Sequence, residues 1–312
     1  MKPIEIASRL MNMPIGVAGR LRPFYLLELA DAVRSSSSLE DAISGRTVVV
    51  TGASSGIGEA TTRLLAGAGA EVARIARRRD ELERIAEEIA EAGGTAHVHP
   101  CDLADADAAE AVGAEIVERH GGVDVLVNNA GRSIRRSIHL SYDRAHDFER
   151  TIQLNYLGAV RMTLAFLPSM RERGDGQIIN VSSTGVQARV PRFSAYVASK
   201  AALDAFADCI QGEIADEGIR VTTIHMPLVR TPMIASTEAL RAMPSISSEQ
   251  AAERVAQAVV HRPMRIGTPY SEVAGIFNSV SPASMSAARN AGFRRTSESQ
   301  AAREDETPES PE

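Results

Sequence analysis

A doubly wound α/β fold on one parallel sheet is the class this sequence predicts, and three observations carry it. From Arg46 onward, short β-branched apolar runs alternate with longer amphipathic stretches, the rhythm of strands joined by crossover helices. The first run passes directly into a glycine-rich turn, Thr51-Gly52-Ala53-Ser54-Ser55-Gly56-Ile57-Gly58, which opens a helical pattern. The chain's 312 residues allow one large domain or two ordinary ones, and no internal repeat interrupts the rhythm.

The elements follow in order. Residues 47–51 are a β-branched run bounded by the glycine turn, which reads as a strand, and 57–68 continue from the turn as a helix. The second strand is expected at 71–76, a charged helix at 80–92 and the third strand at 95–99. A helix over 105–120 leads into a strand at 123–127. One long helix through 148–171 precedes a strand at 177–182. Tyr196 opens the next helix, which runs to about residue 217; a strand at 220–225 and a helix over 248–261 complete the pattern.

Both ends differ from this middle. Residues 1–44 hold apolar pairs such as Leu26-Leu27 interrupted by Pro3, Pro14 and Pro23, so an accessory helical arm is expected. Two roles are open for it: packing on its own fold or a subunit partner, or peripheral contact with a membrane surface. The stretch from Arg294 onward is Ser, Glu, Pro and Ala without apolar spacing, so a disordered acidic tail is expected over 293–312.

With 34 basic and 40 acidic residues the formal charge is −6, which offers no electrostatic case for nucleic acid. Only Cys101 and Cys209 are present, which excludes a disulfide framework and suits a reducing cytoplasm. No stretch approaches the roughly 20 apolar residues of a membrane span, and Lys2, Glu5 and Arg9 interrupt any secretory pattern. A soluble cytoplasmic protein is expected.

The glycine turn lies where a strand meets a helix. Glycine lets the backbone turn sharply and approach a diphosphate, while the helix N-terminus supplies free N–H donors. A nucleotide is the expected guest, the alternative being a purely structural turn. The second strand ends in Ala76-Arg77-Arg78-Arg79, where an NAD-selecting protein would place an acid for the ribose hydroxyls. Arg77 suits a 2′-phosphate through a charge-assisted fork, which favours NADP(H) over NAD(H); the alternative is a solvated helix entrance.

Tyr196 and Lys200 stand four residues apart, which sets phenol and ammonium on one helix face. A phenol titrates near about 10 in isolation, and a neighbouring cation favours the phenolate, so its proton passes more readily to an oxygen gaining charge.

Taken in order, Thr51 to Gly58, Asn128-Asn129-Ala130-Gly131, Asn155, Ser183 and Tyr196 with Lys200 resemble the short-chain dehydrogenase/reductase family over about residues 45–270. Ser183 rather than Ser182 matches the family serine, which stands thirteen residues before the tyrosine. The resemblance implies a single Rossmann-type domain over 45–292 with strand order 3-2-1-4-5-6-7. It implies that Asn155, Ser183, Tyr196 and Lys200 are catalytic. Tyr196 exchanges a proton with the substrate oxygen, Ser183 hydrogen-bonds that oxygen, Lys200 lowers the tyrosine pKa and holds the nicotinamide ribose, and Asn155 positions a water joining Lys200 to solvent. Cofactor contacts fall on Gly52, Ser54, Ser55, Gly56, Ile57, Gly58, Arg77, Asp102, Leu103, Asn129, Ala130, Gly131, Pro227, Val229 and Thr231, with Tyr196 and Lys200 shared. Asn128 and Asn129 have the alternative of fastening the central strand. The family also forms dimers or tetramers through helices matching 148–171 and 195–217, so a homodimer or homotetramer is expected.

After the sixth strand the family's usual glycine is replaced by Leu228 in Pro227-Leu228-Val229-Arg230-Thr231, and 233–247 is rich in Ala, Met and Ser, as a mobile lid over an apolar pocket would be. An apolar carbonyl or alcohol substrate is expected. Three segments are similar to the reductase module of actinobacterial long-chain fatty acyl-CoA reductases: Asn128 to Ser137, Ser141 to Arg144, and His225 to Met233. That resemblance implies a long-chain aldehyde or ketone. Those proteins usually carry a further nucleotide-binding domain ahead of the module, so acyl-CoA reduction itself is not inherited. A steroid, polyol or other cyclic ketone is the enzymatic alternative, and a non-catalytic NADP-sensing regulator the other. Arg132, Arg135 and Arg136 are read as a solvated loop with local salt bridges, the alternative being an anionic head-group site. His97, His99 and His225 lie on different strands without ligand spacing, and no metal is expected.

Overall fold

The computed structural model describes residues 38–235, 243–296, 298 and 302. Helix α1 (Leu39–Ile43) precedes β1 (Thr47–Thr51), α2 (Gly56–Gly67), β2 (Glu71–Ala76), α3 (Arg79–Glu91), β3 (Thr95–Pro100), α4 (Ala106–His120) and β4 (Val125–Asn128). Helix α5 (Ala145–Ile152) passes through a π-helical segment (Gln153–Gly158) into α6 (Ala159–Arg173), followed by β5 (Gly176–Ser183), α7 (Thr184–Ala188), α8 (Ser194–Ile214) and β6 (Ile219–Met226). Then come α9 (Pro232–Ala235), α10 (Ser248–His261), β7 (Arg265–Ile266), α11 (Pro269–Val280) and α12 (Pro282–Arg295).

All neighbouring strands pair in parallel, in the order β3-β2-β1-β4-β5-β6-β7. The expected strand order holds. Winding outward from β1 in both directions makes β1 and β4 the place where strand order reverses, and the crevice beyond their C-terminal ends is where such sheets take ligands. Both faces are covered, which is why β1 and β4 are buried at every position and carry runs of Val and Leu. Val48 and Val50 face one core with Leu65, Ile85 and Val255, whereas Val49 faces the other with Ile116, Met162 and Phe166. Each such side chain contributes roughly 1.5–3 kcal/mol through burial.

Most expected elements are present within a residue or two. The single helix expected over 148–171 is instead interrupted by the π turn, because the buried Asn155 is pulled to partners outside its own helix. Elements not anticipated individually include the short α7 and α9, the two-residue β7, α11 and α12.

The N-terminal arm expected over 1–44 lies outside the described residues up to 37. Its last part belongs to the fold, since α1 is closed by a capping box at Ser38 and places Ile43, fully buried, in the core. The expectation of a disordered tail from 293 does not hold for its described part. Helix α12 continues to Arg295, and the Glu298 carboxylate pairs with Arg192 at 2.6 Å with both side chains largely buried. Charge and backbone carbonyls, not apolar spacing, do the anchoring: Arg192 also stacks on Phe293 at 4.1 Å and donates to Thr296 O at 2.8 Å. Composition is blind to such a strap.

Candidate active site

Where β1 ends, Thr51 ties the glycine turn to the sheet. Its hydroxyl donates to Val127 O and accepts the N–H groups of Asn129 and Ala130, both at 2.9 Å. Asn129 Nδ2 donates to Thr51 O at 2.9 Å. Gly52 and Gly56 take φ of +67° and +56°, the left-handed region that favours glycine. At Gly58 the demand is closeness: a Cβ there would stand 2.3 Å from Gly52 O. The cradle therefore has bare backbone facing the N-terminus of the 12-residue helix α2, a geometry that fits a diphosphate.

A cavity of about 580 Å³ extends from this cradle across the C-terminal ends of the strands. Every residue expected to touch cofactor or substrate lines it, except Gly58 and Asn155. At its far polar end Arg77 lies 3.8 Å from Asp102, both side chains substantially exposed. Arg78, not singled out from the sequence, also lines the cavity and donates to Ser54 O at 3.0 Å, bracing the turn. Arg74, fully buried in β2, braces it from behind by donating to Ala53 O at 3.0 Å; burial lowers its pKa to about 10.

Apolar lining comes from Val190, Phe193, Leu228, Met233, Ile234 and Met243. Of the lid expected over 233–247, residues 236–242 lie outside the described ones. The sequence signal for the remaining wall was available in the apolar residues of the loop between α7 and α8.

Ser183, Tyr196 and Lys200 line the same cavity. Ser183 caps α7, its Oγ accepting the Gly185 N–H at 3.0 Å, which leaves its own hydrogen to point elsewhere. Burial pushes the Tyr196 pKa up, a hydrogen bond with Ser183 opposes that, and the charge of Asp204 adds to the rise. Lys200, buried, gives its Nζ to Val181 O at 2.8 Å, and burial lowers its pKa to about 8 against an opposing pull from Asp204.

Asn155 is fully buried. Its Oδ1 accepts the Arg132 N–H at 2.8 Å, while Nδ2 donates to Arg132 O and to Ser199 Oγ, both at 2.9 Å. Both amide hydrogens are committed, and Ser199 in turn donates to Tyr196 O at 2.7 Å. The side chain fastens the Gly131-Arg132 segment to the start of α8, and it lies buried near Lys200: a Cβ at Gly131 would stand 3.2 Å from Asn155 Oδ1 and 3.6 Å from Lys200 Nζ. Asn128 likewise is scaffold, donating to Asn180 Oδ1 across β4 and β5 at 2.9 Å.

Arg132, Arg135 and Arg136 do not line the cavity. Arg136 pairs with the buried Asp147 at 3.3 Å, a local salt bridge rather than a head-group contact. Of the three histidines, His225 bonds Asp204 at 2.7 Å and His99 bonds Glu115 at 3.1 Å. His97 instead approaches Glu71 and His120, with ligand-type atoms within 4.8 Å of one another.

Known proteins share this architecture. The family model described as short chain dehydrogenase matches residues 46–242. An uncharacterized oxidoreductase of Mycobacterium tuberculosis is 50% identical over 309 residues, covering 98% of this chain and 90% of that protein. A fatty acyl-CoA reductase of Acinetobacter baylyi is 50% identical over 240 residues, covering 77% of this chain and 81% of that protein. A solved metagenomic short-chain oxidoreductase in complex with NADP superposes with a TM-score of 0.63 at 30% identity, covering 73% of this chain and 96% of that one. Motif order, parallel topology and matched length agree on one conclusion: this chain belongs to the short-chain dehydrogenase family of oxidoreductases.

Proposed function

We propose that the protein is an NADP(H)-dependent oxidoreductase that interconverts a carbonyl and an alcohol on an apolar, long-chain acyl-derived substrate. The observation that carries this reading is that the glycine turn, the Ser183 and Tyr196 side chains, and the apolar Val190, Phe193, Leu228, Met233 and Met243 all line one cavity. When bound, the nicotinamide cofactor supplies or accepts the hydride. Gly52, Gly56 and the start of α2 would hold its diphosphate, and Arg77 its 2′-phosphate. Ser183 orients the carbonyl oxygen by a hydrogen bond, and Tyr196 donates the proton that this oxygen takes up as its charge grows. Lys200 keeps positive charge beside the phenol.

A polyol fits less well, because its hydroxyls would face Val190, Phe193 and Met243 without partners. The likeness to a protein named fatty acyl-CoA reductase supports an acyl-derived substrate. Free Cys101 and Cys209 suit the cytoplasm. Among the described residues no helix is long and apolar enough to cross a membrane. Helices α6 and α8 are the surfaces through which a homodimer or homotetramer would form.

NADPH oxidation measured across aldehydes and ketones of graded chain length tests the proposal. kcat/KM is expected to rise about three- to fourfold per added methylene until the wall is filled. Tyr196→Phe is expected to abolish turnover while NADPH still binds. A flat chain-length profile would remove the apolar substrate, and full activity in Tyr196→Phe would remove the mechanism.

A further inference from the structure

We propose that Asp204, seated by His225, is the counter-charge that keeps the buried Lys200 ammonium protonated, and thereby sets the pH above which proton delivery through Tyr196 fails. The mechanistic half of this inference rests on the reductase reading above.

Lysine is nearly absent from this chain. Lys2 and Lys200 are its only lysines, against 32 arginines. A compact ammonium at 200 is therefore not interchangeable background charge, and what surrounds it matters. Asp204 follows Lys200 by four residues and Tyr196 by eight, so all three project from one side of α8. That side packs on β5 and β6. Lys200 Nζ reaches Val181 O on β5 at 2.8 Å, and Asp204 Oδ2 reaches His225 Nε2 on β6 at 2.7 Å. Val181 pairs with Ile224, and Ser182 with His225, so the two anchor points are one rung and one strand apart. Adjacent strands lie about 5 Å apart, which brings carboxylate and ammonium within Coulomb range without a direct salt bridge.

The pair is sheltered. The side chains of His225 and Asp204 are 2% and 14% exposed. Asp204 Oδ1 and His225 Nδ1 are buried and meet no hydrogen-bond partner among the described residues. Among the described residues, the helix of Lys200 presents Tyr196 and Asp204, β6 presents His225, β5 presents the Val181 carbonyl, the π segment presents the neutral Asn155, and the loop after β4 presents Gly131. Asp147 on α5 is held by Arg136 and Arg144.

The sign follows directly. Burial favours neutral lysine and a nearby anion favours the cation, so removing the Asp204 charge lowers the Lys200 pKa further. The same anion raises the Tyr196 pKa, so its loss moves both groups toward deprotonation at lower pH. Carbonyl reduction needs both protonated. Its alkaline limb must move the same way.

The full chain labelled with ¹³Cε-lysine gives two lysine signals, which Lys2→Arg assigns. Titration of the wild type, Asp204→Asn and His225→Gln reads the coupling without any substrate. The Lys200 transition is expected to fall by about one pH unit in Asp204→Asn, and by less in His225→Gln, where the carboxylate keeps its charge but loses its seat. The alkaline limb of kcat/KM for carbonyl reduction is expected to fall in parallel. An unmoved Lys200 transition in folded Asp204→Asn overturns the proposal whatever the activity. Should that variant not fold, Asp204→Ser, which also removes the charge, decides, and an unmoved transition there is equally fatal. A moved transition without carbonyl turnover sustains the charge pairing and defeats the reductase reading instead.

Discussion

Helix α2 offers a controlled comparison, because two of its glycines stand in opposite surroundings. At Gly58 an added methyl group would lie 2.3 Å from Gly52 O, 2.7 Å from Asn129 Nδ2 and 2.8 Å from Gly52 C; at Gly67 it would meet nothing within 4 Å. Carbon needs roughly 3.3 Å or more from a carbonyl oxygen, so Gly58→Ala must lift the helix about 1 Å from the turn. The obstacle is backbone, locked by Thr51 and Asn129, and not the end of a flexible side chain. Overpacking of this kind costs about 1–3 kcal/mol, and the rigid neighbour puts Gly58→Ala at the upper end. The gain in helix propensity returns at most about 1 kcal/mol, leaving a net loss near 2 kcal/mol.

Gly67→Ala takes the propensity gain without the clash and is expected to stabilise by about 0.5 kcal/mol, since it ends the helix. Urea denaturation followed by circular dichroism measures both, with the midpoint falling for Gly58→Ala and rising slightly for Gly67→Ala. NADPH fluorescence titration adds a second readout, because lifting α2 also spoils the cradle. Equal midpoints and equal cofactor affinity in the two variants would refute the close-approach argument.

Two further outcomes are expected. Arg77→Ala should weaken NADPH binding about 10- to 100-fold while leaving NADH binding nearly unchanged; parallel weakening of both would show that Arg77 does not discriminate the 2′-phosphate. Arg192→Ala removes the stacking on Phe293 and the bonds to Thr296 and Glu298, so limited tryptic digestion should cleave after Arg294 and Arg295 faster than in the wild type. Unchanged cleavage would mean that the strap is held elsewhere.

Sequence alone determined what depends on neighbours along the chain. The β-branched run of β1, the turn after it and the four-residue spacing of Tyr196 and Lys200 are local patterns, and local backbone preference with one buried face is enough to read them. Motif order then carried the family and with it the sheet order. Tertiary structure decided what depends on docking. The π turn exists because Asn155 reaches Arg132 and Ser199, 23 and 44 residues away. Arg192 finds Glu298 across 106 residues, where composition promised only disorder. The apolar wall joins the loop carrying Val190 and Phe193 to Met233 and Met243, and Asp204 meets His225 only once α8 lies on β6. Periodicity records which face of an element is buried; it holds no record of which charge from another element is waiting there.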